Sequence, residues 1–325
     1  MKLKHFLPII LAVVAIWTSS CSKKSDTIVT PVDTTKNIVP NGDDTTAVAS
    51  YTPPFTNDVN FYPGDRRGDM SKDTLVEASG LCASRKYPGF FWTENDSGNP
   101  NDVFLIDSNA HVRAIFTITN STNRDWEDLA CGPGPDASKS YLYIGEIGDN
   151  NNANGTSTIY RIPEPDVTFS NATYIASVPV EKAITFKYAD GSHNAESLMI
   201  DPATKDIYIA SKGSVANIYV ARYPQPDTLF TMKKIGQLPF VKLTAGDISP
   251  DGSEILLKNT STIYYWKRAA GESVLGALLR APMLEPYTLE TQGESICWTL
   301  SADAYYTTSE YNAPTISGLW KYKRK

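Results

Sequence analysis

The sequence predicts an all-β fold, a β-propeller, on three observations: a five-fold return to a small residue or carboxylate before an aliphatic anchor, short strand-forming runs after each return, and no helical hydrophobic period. The returns read Glu77-Ala-Ser-Gly-Leu81, Glu127-Asp128-Leu129, Glu196-Ser197-Leu198, Gly246-Asp247-Ile248 and Glu294-Ser295-Ile296, with anchors 48, 69, 50 and 48 residues apart. A period of about 50 residues implies a stacked or circular repeat.

Each element of the unit follows in order. Second strands are legible at 90–93, 141–144, 207–210, 254–257 and 304–307, rich in aromatic and β-branched residues. Third strands follow at 103–106, 158–161, 218–221, 263–266 and 319–322, and fourth strands at 112–118, 183–188, 231–238 and 274–279. Four strands per unit is the blade of a propeller. The fifth unit reaches Lys325 after its third strand, so its outer strand must come from elsewhere or leave an open edge. The segment Asp58-Val-Asn-Phe-Tyr62 is the expected donor and would close the ring. The expectation is five four-stranded blades. Six is the alternative, if 52–74 hold more strand or if 125–190, with its longer interval, is more than one blade.

Residues 1–20 resemble an export signal peptide: Lys2 and Lys4, an apolar run from Phe6 to Trp17, then small residues. Thr18-Ser19-Ser20-Cys21 resembles a lipoprotein signal in which the Cys21 thiol is diacylated, with Thr18 where that pattern prefers Leu. Residues 21–56, dominated by Ser, Thr, Asp, Lys, Pro and Asn, are expected as a lipid anchor and flexible tether, and 57–325 as the propeller. The expected location is the cell envelope, anchored by lipid to a bacterial membrane, the outer one. The formal charge of −6 becomes −8 without Lys2 and Lys4, and the terminal Lys-Tyr-Lys-Arg-Lys reads as a solvated end. Nucleic acid is therefore excluded as an expected partner. With Cys21 lipidated, an odd set of thiols remains: Cys82, Cys131 and Cys297. Either Cys82 and Cys297, which each follow an anchor in neighbouring blades, form a disulfide, or all three are small buried hydrophobes.

The first strand of a blade lines the central channel, so the residues that begin those strands converge on one mouth. Here they include Glu77, Asp125, Glu127, Asp128, Glu196, Asp247 and Glu294, and the turns after second strands add Glu94, Asn95, Asp96, Asp149, Asn150 and Glu310. A ring of carboxylates repels itself and must be relieved by protons, by protein cations such as Lys212 and Lys258, or by a metal. Oxygen donors without clustered His or Cys suit Ca²⁺. The expected metal ligands are Glu77, Asn95, Asp96, Glu127, Asp149, Asn150, Glu196, Asp247 and Glu294. Glu127, Glu196 and Glu294 share one register and form the centre, Asp247 being shifted by one position and Glu77 by two. For each residue singly, capping of a nearby backbone N–H is the competing role.

Catalytic candidates are few. His5 lies in the leader, His111 in a surface turn, and His193 three residues before Glu196, where it could act as a base near the channel. No Gly-x-Ser-x-Gly elbow, His-Glu-x-x-His or phosphate loop is present, which disfavours serine hydrolase, zinc protease and nucleotide enzyme. Glu127, Glu196 and His193 are the candidate catalytic groups.

Six segments, Glu77-Ala-Ser-Gly-Leu81, Trp92-Thr-Glu-Asn-Asp-Ser-Gly98, Asp125-Trp-Glu-Asp-Leu-Ala130, Tyr143-Ile-Gly-Glu-Ile-Gly-Asp-Asn150, Arg161-Ile-Pro-Glu-Pro165 and Gln292-Gly-Glu-Ser-Ile296, carry a further signal. In this order they make the chain resemble, over nearly the whole domain, a family of secreted bacterial β-propeller proteins without assigned activity. The resemblance implies the fold and no reaction. Relatives tend to carry Gly-Asp-Ile-Gly-Asp-Asn followed by basic residues, whereas Glu146 replaces the first Asp here and Asn151, Asn152 and Asn154 follow. More distantly the layout is similar to calcium-dependent phytase-like and gluconolactonase-like propellers.

The expected function is a lipid-anchored envelope propeller that binds a carbohydrate, peptide or envelope partner at a Ca²⁺-occupied acidic mouth. The alternatives are a Ca²⁺-dependent hydrolase of phosphoester, ester or lactone substrates, in which Asp96, Glu127 or Glu196 is the base, and a purely structural scaffold.

Overall fold

A computed structural model describes residues 46–325. The expected signal peptide, Cys21 and the spacer as far as residue 45 lie outside the described residues. Three short strands come first: β1 (Ala47–Val48), β2 (Thr56–Asn57) and β3 (Asp65–Asp69). Antiparallel units follow. The first is β4 (Ala78–Ala83), β5 (Phe90–Asn95), β6 (Asp102–Asp107) and β7 (Val112–Thr119). The second is β8 (Trp126–Pro133), β9 (Ser140–Glu146) and β10 (Ser157–Pro163), then, after the excursion of β11 (Tyr174–Pro179), β12 (Lys182–Tyr188). The third is β13 (Ala195–Ile200), β14 (Ile207–Ser211), β15 (Ala216–Ala221) and β16 (Phe230–Leu238). The fourth is β17 (Leu243–Ile248), β18 (Glu254–Asn259), β19 (Ile263–Lys267), a short helix α1 (Val274–Leu278) and β20 (Met283–Glu285). The last is β21 (Gly293–Trp298), β22 (Ala304–Ser309) and β23 (Gly318–Lys323), completed by β3.

The first strands form the inner ring of a β-propeller. β4 packs on β8, β8 on β13, β13 on β17, β17 on β21, and β21 back on β4. Every residue of β4, β13 and β21 is buried, as befits strands covered on both faces. Fourth strands alternate instead, β7 hiding Ala114, Phe116 and Ile118 and showing the residues between. Apolar clusters fill each gap between units. Trp92 and Trp126 pack between the first two, Tyr208 and Trp266 between the third and fourth, and Trp298 and Tyr305 between the last two. Full burial of such a ring removes about 150–250 Å² from water, several kcal/mol each, so the gaps between sheets are where the fold is held.

Several expectations change. The closing strand is Asp65–Asp69, antiparallel to β23, rather than 58–62. The expected donor extends the same pairing less regularly, through a bridge between Phe61 and Arg324 and a bond from the Tyr62 N–H to the Lys323 carbonyl. The long second interval is not an additional blade. Its excess crosses back as β11, which adds a parallel fifth strand to the first unit beside β7. The expected strand at 274–279 is a helix, whose Ser273 side chain caps the Gly276 N–H, and β20 takes the outer place. Residues 47–56, read by composition as tether, lie on the domain: β1 pairs with β16, β2 pairs with β20, and Tyr51 and Phe55 pack on Phe240. Cys82 is bonded to Cys131 on the neighbouring first strand, Cα–Cα 5.7 Å, while Cys297 is free and buried. Neither sequence reading of the thiols holds.

Candidate acidic site at the channel mouth

Each first strand begins with a register shift against its second strand, and these bulges aim the site. The shifts fall between Trp126 and Asp128, Ala195 and Ser197, Leu243 and Ala245, Gly293 and Ser295, and, over two residues, Ala78 and Leu81. A bulge leaves one residue unpaired and re-aims its side chain. The bulged residues are Glu127, Glu196, Thr244 and Glu294, with Ser79 and Gly80 in the first unit. Glu127, Glu196 and Glu294 do share one register, as expected. In the fourth unit, however, the equivalent is Thr244, and Asp247 lies three residues deeper. Its Oδ2 accepts the Trp298 N–H at 2.8 Å, a bond between neighbouring first strands. Asp128 does the same work for the second and third units, accepting the Leu198 and Leu129 N–H groups at 2.8 Å.

Carboxylate oxygens of Asp96, Glu127 and Glu294 lie within 4.8 Å of one another. Asp96 enters from the turn after β5, on the first unit, whose bulge of Ser79 and Gly80 carries no acid. Lys212, just beyond β14, places its ammonium against the Glu196 Oε1 and 3.5 Å from the Glu294 Oε1. The other Glu196 oxygen, Oε2, is buried with no hydrogen-bond partner among the described residues, and the side chain is only 3 % exposed. Gly148 opens the space these groups occupy. A Cβ there would stand 2.4 Å from both the Asp125 Oδ2 and the Glu127 Oε1.

The surrounding turns are held by side chains that had no evident role in the sequence. Asn123 donates to the Asn95 and Asp96 carbonyls at 2.9 and 3.1 Å and accepts the Trp126 N–H at 3.0 Å. Glu146 accepts the Arg124 and Asp125 N–H groups at 2.9 and 3.0 Å, which fixes the entry to β8. Burial and the neighbouring Glu196, Asp96 and Asp125 carboxylates push Glu127 well above the ordinary range. Burial likewise raises Glu196 to about 8, although Lys212 opposes it, and Asp96 to about 6, with Asp125 and Glu294 adding to the rise. Glu310 is raised to about 9 by burial and by Glu294. Burial would lower Lys212, but Glu196 and Glu294 raise it, so it stays an ammonium. One cation faces a cluster of carboxylates, and the remainder of their charge is met by protons or by further cations.

Other expected ligands lie apart from this centre. Glu77 is exposed and accepts the Asn99 amide. Asn95 is buried in structural bonds, donating to the Thr74 carbonyl and accepting the Glu77 N–H. Asp149 accepts the Ala153 and Asn154 N–H groups at 2.9 and 2.8 Å, and the Asn150 Oδ1 accepts from Asn194: both serve their turn. His193 is tied to Asp190 at 3.0 Å and stacks near Tyr188 and Tyr219, on the rim rather than among the carboxylates. Lys258 is fully buried, its ammonium donating to the Asn259 and Gly293 carbonyls and standing 4.6 Å from the Tyr287 ring, so it relieves the cluster only at a distance. Sequence reasoning missed Gly148 and Asn123. The Gly between Ile147 and Asp149 was visible, but nothing local said that two carboxylates faced it.

No protein-family model matches the chain, and no curated protein matches it. Among solved structures it is similar to the WD40 repeats of RRP9, seen in a crystal structure, at TM-score 0.39 and 9% identity over 75% of this chain and 79% of that one.

Proposed function

We propose that this β-propeller binds a divalent cation, Ca²⁺ by its donor chemistry, at the mouth formed by Asp96, Glu127 and Glu294, and presents the occupied mouth to a ligand or partner in the bacterial envelope. The convergence of those three oxygens within 4.8 Å carries the reading. Two ligands at about 2.4 Å from one ion stand at most about 4.8 Å apart, so the set fits a single hard cation. The unpartnered, buried Glu196 oxygen supports it as a fourth donor, with Lys212 moving aside. Attachment through Cys21 to an outer-membrane lipid and a carbohydrate, peptide or envelope partner complete the proposal. A second reading, a Ca²⁺-dependent hydrolase of phosphoester, ester or lactone substrates with Asp96, Glu127 or Glu196 as base, starts from the same acidic cluster.

Purified protein assayed on generic phosphoester, ester and lactone substrates with Ca²⁺ and then with chelator separates the two. Chelator-sensitive turnover supports the hydrolase, and its absence with a Ca²⁺-dependent rise in melting temperature supports binding. If melting is unmoved by millimolar Ca²⁺ and Glu127→Gln or Glu196→Gln raises it, the cluster is not a cation site.

A further inference from the structure

The end of the channel opposite the acidic mouth carries both signs of charge, Arg85, Lys86 and Lys139 standing with Asp136, Glu164 and Asp166. First strands run from the bulged carboxylates to residues such as Ala83, about 3.3 Å per residue, so the turn after β4 emerges at the far end of the channel. There a cleft of about 550 Å³ is lined by Arg85, Lys86, Ser138, Lys139, Ser140 and Glu164, together with Pro163 and Asp166. That volume suits a small organic ligand.

Every charge around the cleft except one is met from within the chain. Glu164 is saturated: Oε1 accepts from the Ser84 hydroxyl and the Trp92 indole, and Oε2 from the Ser140 hydroxyl and the Lys86 N–H. The Lys86 ammonium donates to Asp166 and to the Glu164 carbonyl, and Lys139 pairs with Asp136 at 3.4 Å. Among the described cations that line the cleft, Arg85 is the one with no ion pair. Its Nε donates to the Cys131 carbonyl at 3.2 Å, and neither terminal nitrogen has a hydrogen-bond or ion-pair partner among the described residues. Burial lowers its pKa, while the Asp247 and Glu164 carboxylates, neither in ion-pair contact with it, oppose the fall, and Asp247 lines with it a small pocket at this end of the channel. Cys131, which holds the Nε, is joined to Cys82 three residues before Arg85, so the fork is oriented by a covalently braced frame.

We propose that this cleft binds a small oxyanion, a phosphate or carboxylate group, on the free edge of the Arg85 guanidinium. A planar fork fixed at one nitrogen matches two oxygens of such a group. Lys86 and Lys139 pair with Asp166 and Asp136 at the rim, which leaves the Arg85 fork as the cation without an ion pair there among the described residues. The ligand class is a small anionic metabolite or a terminal carboxylate, and the site is independent of the cation mouth.

The test uses the full chain without added Ca²⁺ at constant ionic strength. Inorganic phosphate and, separately, acetate are titrated calorimetrically, with chloride as the control, and ³¹P line broadening gives a second readout on wild type alone. Saturable binding of phosphate, of acetate, or of both identifies the preferred oxyanion. Arg85→Gln should weaken it by about tenfold or more, and Arg85→Lys by less, because a charge remains but the fork is lost. Arg85→Lys also covers the case in which Arg85→Gln does not fold. No saturable signal in wild type up to about 10 mM of either anion, or wild-type affinity in the Arg85 variants, would overturn the proposal.

Discussion

At the scale of residues, the two acids that the sequence could not tell apart do different work. Glu127 sits on a bulge and faces the mouth, whereas Asp247, three places beyond the bulge at Thr244, takes a backbone N–H from the next unit. The sequence aligned them because Ile248 looks like an anchor, and pairing register is invisible to composition. Burial raises Asp247 to about 7 against the pull of the Trp298 N–H and Arg85, and raises Glu285 to about 9 with help from Asp58. A carboxyl raised on folding contributes its full stability below its unfolded pKa and loses it as pH rises towards the folded value. Stability should therefore fall between pH 5 and pH 7, by about 1 kcal/mol per pH unit for each such group. Thermal melts across that range check the sign, and Asp247→Asn, which keeps the acceptor oxygen, should flatten the slope. Gly148→Ala is expected to destabilise the fold by about 1–3 kcal/mol and to weaken Ca²⁺ binding, because its Cβ meets two carboxylates at 2.4 Å. Equal melting and equal Ca²⁺ response in this variant would mean that the mouth is looser than it looks.

At the scale of elements, the inner three strands of each unit were legible because aromatic and β-branched runs recur in them. The outer places were not. Asp65-Arg-Arg-Gly-Asp69 has no apolar period, as suits an exposed closing strand, and Val274–Leu278 is as apolar as a strand but is started as a helix by Ser273. The disulfide was out of reach for a different reason: with an odd count, spacing does not select a connectivity. Cys82 and Cys131 are 49 residues apart, so the bond tethers two neighbouring first strands. Replacing both by Ser should cost about 2–4 kcal/mol, measured by denaturant unfolding. Titration of thiols in the denatured, unreduced mature protein should find Cys297 alone if Cys21 is diacylated, and two thiols if Cys21 is retained unmodified.

At the scale of the molecule, the ring is closed by one antiparallel pair, β23 with β3, and its termini meet there. Deleting residues 58–69 strips the outer edge of the last unit and should give aggregation or loss of the cooperative melt, visible by light scattering. A folded monomer after that deletion would place the closure elsewhere. The ring also explains why the candidate site was only partly readable. Convergence on a mouth was foreseeable from the repeat, but which acids reach it depends on bulges and on turns held by Asn123 and Glu146. Asp149, Asn150 and Asn95 turned out to serve those turns. The central claim is one divalent cation on Asp96, Glu127 and Glu294. Calorimetric titration of Ca²⁺ into chelator-treated protein at pH 8 tests it most directly. Wild type is expected to show one site per chain, abolished in the Glu127→Gln/Glu294→Gln double variant and unchanged in Asp149→Asn. No saturable heat at millimolar Ca²⁺, or the same isotherm in the double variant, would contradict it.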